Sequence, residues 1–190
     1  MFEAGGLFLH MEFRQVVETR HSVRTYLKKA VEDEKLQYVL DCARLAPSFR
    51  NGQCWRFVVV RDPELRKKVA TTSLLNRWMY SVPIILVACA DPSESGNRNG
   101  IDYFGVDVGI AFEHVVLAAA DVGLGTCWMA AFNEEQVRDT LGIPRNIRVV
   151  ALSPLGYPAK RSSLFGKTIS VVARSKHRRP LDQTVHYDRW

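Results

Sequence analysis

An α+β fold, built as one large domain, is predicted for this chain on three observations. Strand-like runs rich in Val, Ile and Leu alternate with segments of helical periodicity, giving about four internal strands with helices between them. At 190 residues and 47% hydrophobic content, the chain is long and apolar enough to bury a core of its own. Its four cysteines, Cys42, Cys54, Cys89 and Cys127, are widely spaced and form no C-x-x-C pair, which argues against a zinc site and against a disulfide framework. They read as free thiols of a reducing cytoplasm.

Residues 1–11 form an unpatterned N-terminal extension without the basic and apolar regions of a secretory leader, and Met11 is an equally good start. The domain proper is residues 12–190. From Glu12 to Thr19 a short helix, with Phe13, Val16 and Val17 on one side, leads into Arg20-His21-Ser22-Val23-Arg24. Acids at Glu32, Asp33 and Glu34 open a second helix where its N-terminus is positive, Leu36, Val39, Leu40 and Ala43 follow at helical spacing, and Pro47 stops it. The polar loop 48–53 then lies between that helix and a strand running from Trp55 to Val60, a location suited to recognition.

Glu64 to Leu75 carries a helix pattern and Pro83 to Ala90 that of a buried strand. The Ser/Gly/Asn-rich stretch from Asp91 to Gly100 is expected to be mobile and lid-like. Ile101 to Val122 is the longest helix, apolar on nearly every face and therefore in need of cover on several sides. Gly105 and Gly109, one turn apart, would admit a second helix, so a dimer interface is expected there. Gly123-Leu124-Gly125 reads as the C-cap of this helix, because the glycines follow a helix and do not open one as a dinucleotide fingerprint would. A strand from Thr126 to Met129, a helix from Asn133 to Gly142 and a strand from Arg148 to Leu155 complete the pattern. The tail from Leu181 to Trp190 carries Val185, Tyr187 and Trp190, which need a surface to pack on.

The net charge of +6 is local. Lys160, Arg161, Lys167, Arg174, Lys176, Arg178 and Arg179 occupy a stretch with no acid, leaving 19 basic against 20 acidic residues elsewhere. A nucleic-acid face would spread its cations or interleave them with stacking aromatics, so a concentrated patch suits a small phosphorylated ligand at least as well. The apolar run from Val82 to Ala90 falls far short of the ~20 residues that span a bilayer. Neither nucleic acid nor membrane is expected as a partner. Arg20-His21-Ser22-Val23-Arg24 fits two readings: a solvated turn, or a compact anion seat in which forked guanidinium donors and a hydroxyl meet phosphate oxygens.

Arg20-His-Ser-Val-Arg24, Ala46-Pro-Ser-Phe-Arg-Asn51-Gly-Gln53 ahead of Trp55, Gly123-Leu-Gly-Thr-Cys-Trp128, the strand into Gly156-Tyr-Pro158, and Lys176-His-Arg178-Arg-Pro180 occur in an order and spacing that resembles the FMN-dependent nitroreductase family, over nearly the whole chain from Glu12. The resemblance implies a three-layer α+β fold with a central mixed, mainly antiparallel sheet flanked by helices. It also implies a homodimer with exchanged terminal segments and two FMN sites at the subunit boundary. On it, Arg20, Ser22, Lys176 and Arg178 are expected at the FMN phosphate and His21 near the ribityl end, where a packing role is the alternative. Arg24 is expected beside the pyrimidine edge of the flavin, where a fixed cation stabilises the charge left by reduction. Pro47, Ser48, Phe49 and Asn51 resemble the loop that reaches the flavin from the partner subunit. Pro47 also serves as a helix stop. Met129 and Ala130 resemble the segment whose backbone faces the ring. Two departures stand out: alanines replace an acidic residue and a glycine of larger bacterial members near Met129, and Cys54 stands where the family usually has proline.

The function implied is an FMN oxidoreductase. It would take hydride from NADH or NADPH onto flavin N5 and reduce a flat second substrate, such as a nitroaromatic or quinone, by a ping-pong cycle. The flavin carries the chemistry, and no side chain need act as nucleophile. The rival readings are a non-catalytic flavin-binding sensor and a reductive dehalogenase-like or flavin-fragmenting relative, whose lid insertions are longer than the Asp91–Gly100 stretch allows.

Overall fold

A computed structural model of the chain describes residues 10–159 and 177–190, without the side chains of residues 74–77. The first elements follow the sequence pattern closely. Helix α1 spans Phe13–Thr19 and buries only Val16. Helix α2 spans Asp33–Arg44, with Asp33 and Glu34 in its first turn, Arg44 in its last, and Leu36, Val39 and Ala43 turned inward. Strand β1 is Trp55–Val60. Helix α3, Pro63–Thr71, starts where the Asp62 carboxylate accepts the Leu65 N–H at 2.8 Å and proline takes the first helical position. It stops short of the expected Leu75 because Thr71 and Thr72 turn their hydroxyls onto the carbonyls of Lys68 and Val69, both at 2.8 Å, and the chain tightens into a 3-10 helix over Leu74–Ser81.

Strand β2, Ile84–Ala90, is buried along its whole length. Next comes the stretch expected to be a mobile lid, and the structure corrects that expectation. Asp91 caps a 3-10 turn at Pro92–Glu94, and a two-residue hairpin, β3 (Asn97–Arg98) and β4 (Ile101–Asp102), turns at Asn99-Gly100 with φ of 53° and 77°. Arg56 grips both oxygens of Glu94 at 2.7 Å, and Ser95 and Gly96 pack inward. Composition alone suggested a loop, but these contacts make it a brace. Helix α4 accordingly starts two residues late, at Tyr103, and runs to Asp121.

Strand β5 is only Gly125–Thr126, shorter than expected, and pairs with β6, Arg148–Gly156. The register continues to a bridge between Met129 and Leu152, but opposite Cys127 it meets Pro154, which has no N–H to give. The ladder breaks there, and the Cys127 N–H donates to the Ser153 hydroxyl at 3.0 Å. Between them, helix α5 (Glu134–Leu141) is capped by Asn133 and closed by Gly142 at φ 66°.

The sheet has the order β1-β2-β6-β5 and is antiparallel throughout, with one parallel bridge from Ser22 to Thr126 at its edge. Side chains alternate between two cores. Ile84, Leu86, Ala88 and Ala90 face α2 and α4, whereas Ile85, Val87 and Cys89 face the layer holding α3 and α5. Three layers result, as expected. Fully buried aliphatic positions such as Ile85 and Leu86 each carry about 2–5 kcal/mol against truncation to alanine, so the sheet centre is the rigid frame of the molecule.

Helix α4 covers the sheet with Val108, Ala111, Phe112, Val115 and Ala119, and it buries two acids, Asp107 and Asp121. Asp121 accepts from His10 Nδ1 (2.5 Å), the Met11 N–H (2.7 Å) and the Tyr38 hydroxyl (2.8 Å). The chain is therefore already tied to the domain from His10. Burial raises the Asp121 carboxyl's pKa, but these donors outweigh it and hold the group below the usual range.

Candidate functional site

Two places on the frame gather the residues singled out from sequence, one at each end of α4. At the Asp121 end, α1 ends at Arg20, and the next residues run as an edge strand beside β5. Ser22 bridges Thr126, and the Val23 N–H donates to the Thr126 carbonyl at 2.8 Å. The two glycines after α4 do different work. Gly123, at φ 76°, is the left-handed helix terminator expected of it. Gly125 is needed for close approach, because a Cβ there would sit 2.5 Å from Val23 Cγ2.

This pairing brings Arg20, His21, Ser22 and Arg24 alongside the Gly123–Cys127 segment. A cavity of about 150 Å³ opens between them, lined among others by Arg20, His21, Gly123, Gly125 and Thr126. Arg20 Nε is buried there without a hydrogen-bond partner. Leaving such a donor unpaired is costly, so an acceptor such as a phosphate oxygen would be stabilised at this nitrogen, beside a lining that is otherwise largely apolar. Glu113 on α4 faces the same guanidinium: desolvation raises its carboxyl's pKa, and Arg20 and His114 oppose the shift. His21 is exposed, with Nδ1 3.1 Å from the Thr19 carbonyl. Arg24 is half-buried, donates to the Ser22 carbonyl at 3.3 Å and acts electrostatically on Cys127, whose thiol burial keeps protonated.

At the Tyr103 end lies the loop of Pro47, Ser48, Phe49 and Asn51. Arg50, Asn51 and Gln53 all adopt left-handed φ values of 51°, 58° and 50°. Such a run in non-glycine residues persists only when the surroundings dictate it. The Gln53 N–H donates to the Ser48 hydroxyl (2.9 Å), the Phe49 ring stacks on Tyr103 at 4.8 Å, and the Phe49 N–H donates to Asp107 at 2.8 Å. Gly52 and Gly96 allow the contacts: a Cβ would meet the Glu94 carbonyl oxygen at 1.9 Å in the first and the Phe49 ring at 2.4 Å in the second. Asn51 and Pro47 are exposed at the surface of the loop.

Within this chain these two places do not converge. Asp107 and Ala120 are about 20 Å apart along the helix by its rise per residue. Met129, half-buried at its bridge to Leu152, and the exposed Ala130 continue from the first place. Lys176 lies outside the described residues. Arg178 is exposed and donates to the His177 carbonyl. Among the described residues no cluster of three or more His, Cys, Asp or Glu side chains has the arrangement of a metal site. Asp107 and Glu113 were not read as site residues from sequence, and Gly125 was read only as part of a helix cap and a family motif. An acid inside an otherwise apolar helix was the one available signal for Asp107.

The profile of the Nitroreductase family matches residues 17–74 and 71–157. An Archaeoglobus fulgidus protein provisionally named NADH dehydrogenase/NAD(P)H nitroreductase is 34% identical over 158 residues, 81% of this chain and 90% of that protein. The Bacillus subtilis FMN reductase [NAD(P)H] is 28% identical over 75% of this chain and 64% of its own length. Among solved structures, a nitroreductase family protein from Clostridium novyi NT superposes with a TM-score of 0.77 at 39% identity, covering 79% of this chain and 87% of that one. With the three-layer frame and both motif regions inside the matched span, the chain belongs to the nitroreductase family.

Proposed function

We propose that this protein is an NAD(P)H-dependent FMN oxidoreductase whose phosphate seat is the cavity at Arg20. The observation that carries the reading is the buried, unpartnered Arg20 Nε beside that cavity. His21 lines the same cavity, Ser22 follows it at the bridge to Thr126, and Lys176 and Arg178 are the cations of the C-terminal stretch that would join the seat. When bound, FMN supplies a two-electron carrier between NADH or NADPH and a flat acceptor such as a nitroaromatic or quinone. Arg24 contributes fixed positive charge, which favours a reduced, anionic ring. The small side chain of Ala130 beside Met129 leaves room for a flat group to approach.

The second half of the site comes from a partner subunit on this reading. The 47–53 loop stands at the far end of α4 from the seat in its own protomer, so a second copy is the source of Pro47, Ser48, Phe49 and Asn51. Two further features support a homodimer. Space beside Gly105 and Gly109 is open in the described protomer, and the tail leaves Leu181, Tyr187 and Trp190 exposed to 70%, 83% and 102%.

The visible spectrum of freshly purified protein tests the cofactor, since bound FMN is yellow. Anaerobic NADPH should bleach it, and parallel double-reciprocal lines with a quinone acceptor should follow. Retained colour under NADPH would support the sensor reading instead. Light scattering at micromolar concentration should give the mass of two chains, and a monomer would refute the shared site. Arg24→Ala should mainly shift the flavin's reduction potential, whereas Arg20→Ala should mainly weaken binding.

A further inference from the structure

The 47–53 loop raises its own question, since three left-handed non-glycine residues within four positions do not hold their shape unaided. Something buried has to impose that shape. Asp107 is 1% exposed, and its carboxylate is bonded from three separate segments. Oδ1 accepts the Phe49 N–H at 2.8 Å. Oδ2 accepts the Ser95 hydroxyl at 2.8 Å and the Cys54 thiol at 3.7 Å. One acid thus ties the loop, the brace after β2 and the residue just before β1 to the first turn and a half of α4.

We propose that Asp107 is the positioning residue that holds the 47–53 loop in the shape that presents Asn51 and its neighbours to a flavin. The proposal rests on the FMN reading above and deepens it, because it says what makes the second half of the site rigid. A carboxylate is the right group here. It is acceptor-only and offers sites for all three donors at once. The carboxylate they share is buried, so truncation would remove the buried acceptor of the Phe49 N–H. Burial and the carboxylate together push the Cys54 thiol up to about 11, which keeps it a protonated donor across the physiological range. The thiol, which stands where the family usually has proline, becomes the third tie. Phe49 completes the lock: its backbone is held by Asp107 while its ring lies against Gly96 and Tyr103.

Arg50 is exposed within the loop, so trypsin reads the loop's shape directly. In the full-length FMN-free chain, Asp107→Ala should raise cleavage after Arg50 about tenfold relative to cleavage after Lys67 and Lys68 of α3, the size expected for one stranded buried bond. The same variant should weaken FMN binding, followed by quenching of FMN fluorescence, by about tenfold. Asp107→Asn keeps an oxygen for the Phe49 N–H and should recover most of both effects. Ser95→Ala removes one tie and leaves the core intact, so it should raise Arg50 cleavage about threefold and serves where Asp107→Ala does not fold. Unchanged Arg50 cleavage, an equal rise at every site, or unchanged FMN affinity in Asp107→Ala would each overturn the proposal, as would unchanged cleavage in Ser95→Ala. A wild-type protein that takes up no FMN would instead end the flavin reading, and the Arg50 cleavage ratio would still decide whether Asp107 holds the loop.

Discussion

At the Tyr103 end of α4 a buried carboxylate accepts from a backbone amide, a hydroxyl and a thiol, whereas at the Asp121 end a buried guanidinium nitrogen of Arg20 has no partner. The first region spends its polar groups on itself. It holds a strained backbone and presents a shape. The second leaves a charged donor uncommitted beside a cavity, so its bonding is completed only by something that arrives. A site assembled from both kinds of region, one from each subunit, would combine a preformed wall with an open receptor, and neither would function alone.

The comparison can be broken first at the receptor. Arg20→Ala should weaken FMN binding by about 10- to 100-fold, the usual worth of a charge-assisted bond to phosphate, as measured by fluorescence titration. Arg20→Lys should restore only part, because the ammonium lacks the Nε donor. Gly125→Ala comes next. Its Cβ would push Val23 away from β5, and an overpacked edge of this kind should lower stability by about 1–3 kcal/mol in urea titration and loosen FMN with it.

The loop end can be sharpened with the opposite sign. Arg50→Gly removes the left-handed penalty of a side chain at φ 51° and should raise stability by about 0.5–1 kcal/mol in thermal unfolding, net of the freedom glycine adds to the unfolded chain. A loss of stability would mean that the loop is not strained. The smallest effect is expected at a surface pair outside the cavity lining. The Tyr157 hydroxyl donates to Glu32 at 2.5 Å and holds its carboxyl down to about 2. A depressed carboxyl stabilises the fold above its unfolded value of about 4.3 and loses that contribution as pH falls towards about 2. Glu32→Gln should therefore flatten the acid-side decline in stability over that window and leave neutral-pH FMN binding unchanged.

The helices that begin at Asp33, Pro63 and Glu134 were legible because caps, acids and apolar spacing are local signals. The strand expected over Thr126–Met129 was misjudged in length because its limit lies across the sheet, at Pro154. Asp91–Gly100 looked mobile for a similar reason. Its composition is that of a loop, but Arg56 and Asp107, distant in sequence, fasten it. In the candidate site the two arginines, the Ser22 hydroxyl and the Pro47–Asn51 loop were readable as motifs. The clamping role of Asp107 and the close approach at Gly125 were not, since they depend on Phe49 and Cys54 in the one case and Val23 in the other, all more than 50 positions away.

By itself the sequence determined where most of the helices and the central strands lie, which faces of them are apolar, and which short motifs carry cations and a turn. Those properties depend on neighbours a few residues apart. Only the tertiary structure decided that Arg20 would keep a bare donor beside a cavity, and that a single buried acid would clamp a left-handed loop. Burial and hydrogen-bond completion are set by what packs across the sheet and along α4, and no local pattern encodes the distance between two groups that meet only when the chain has folded.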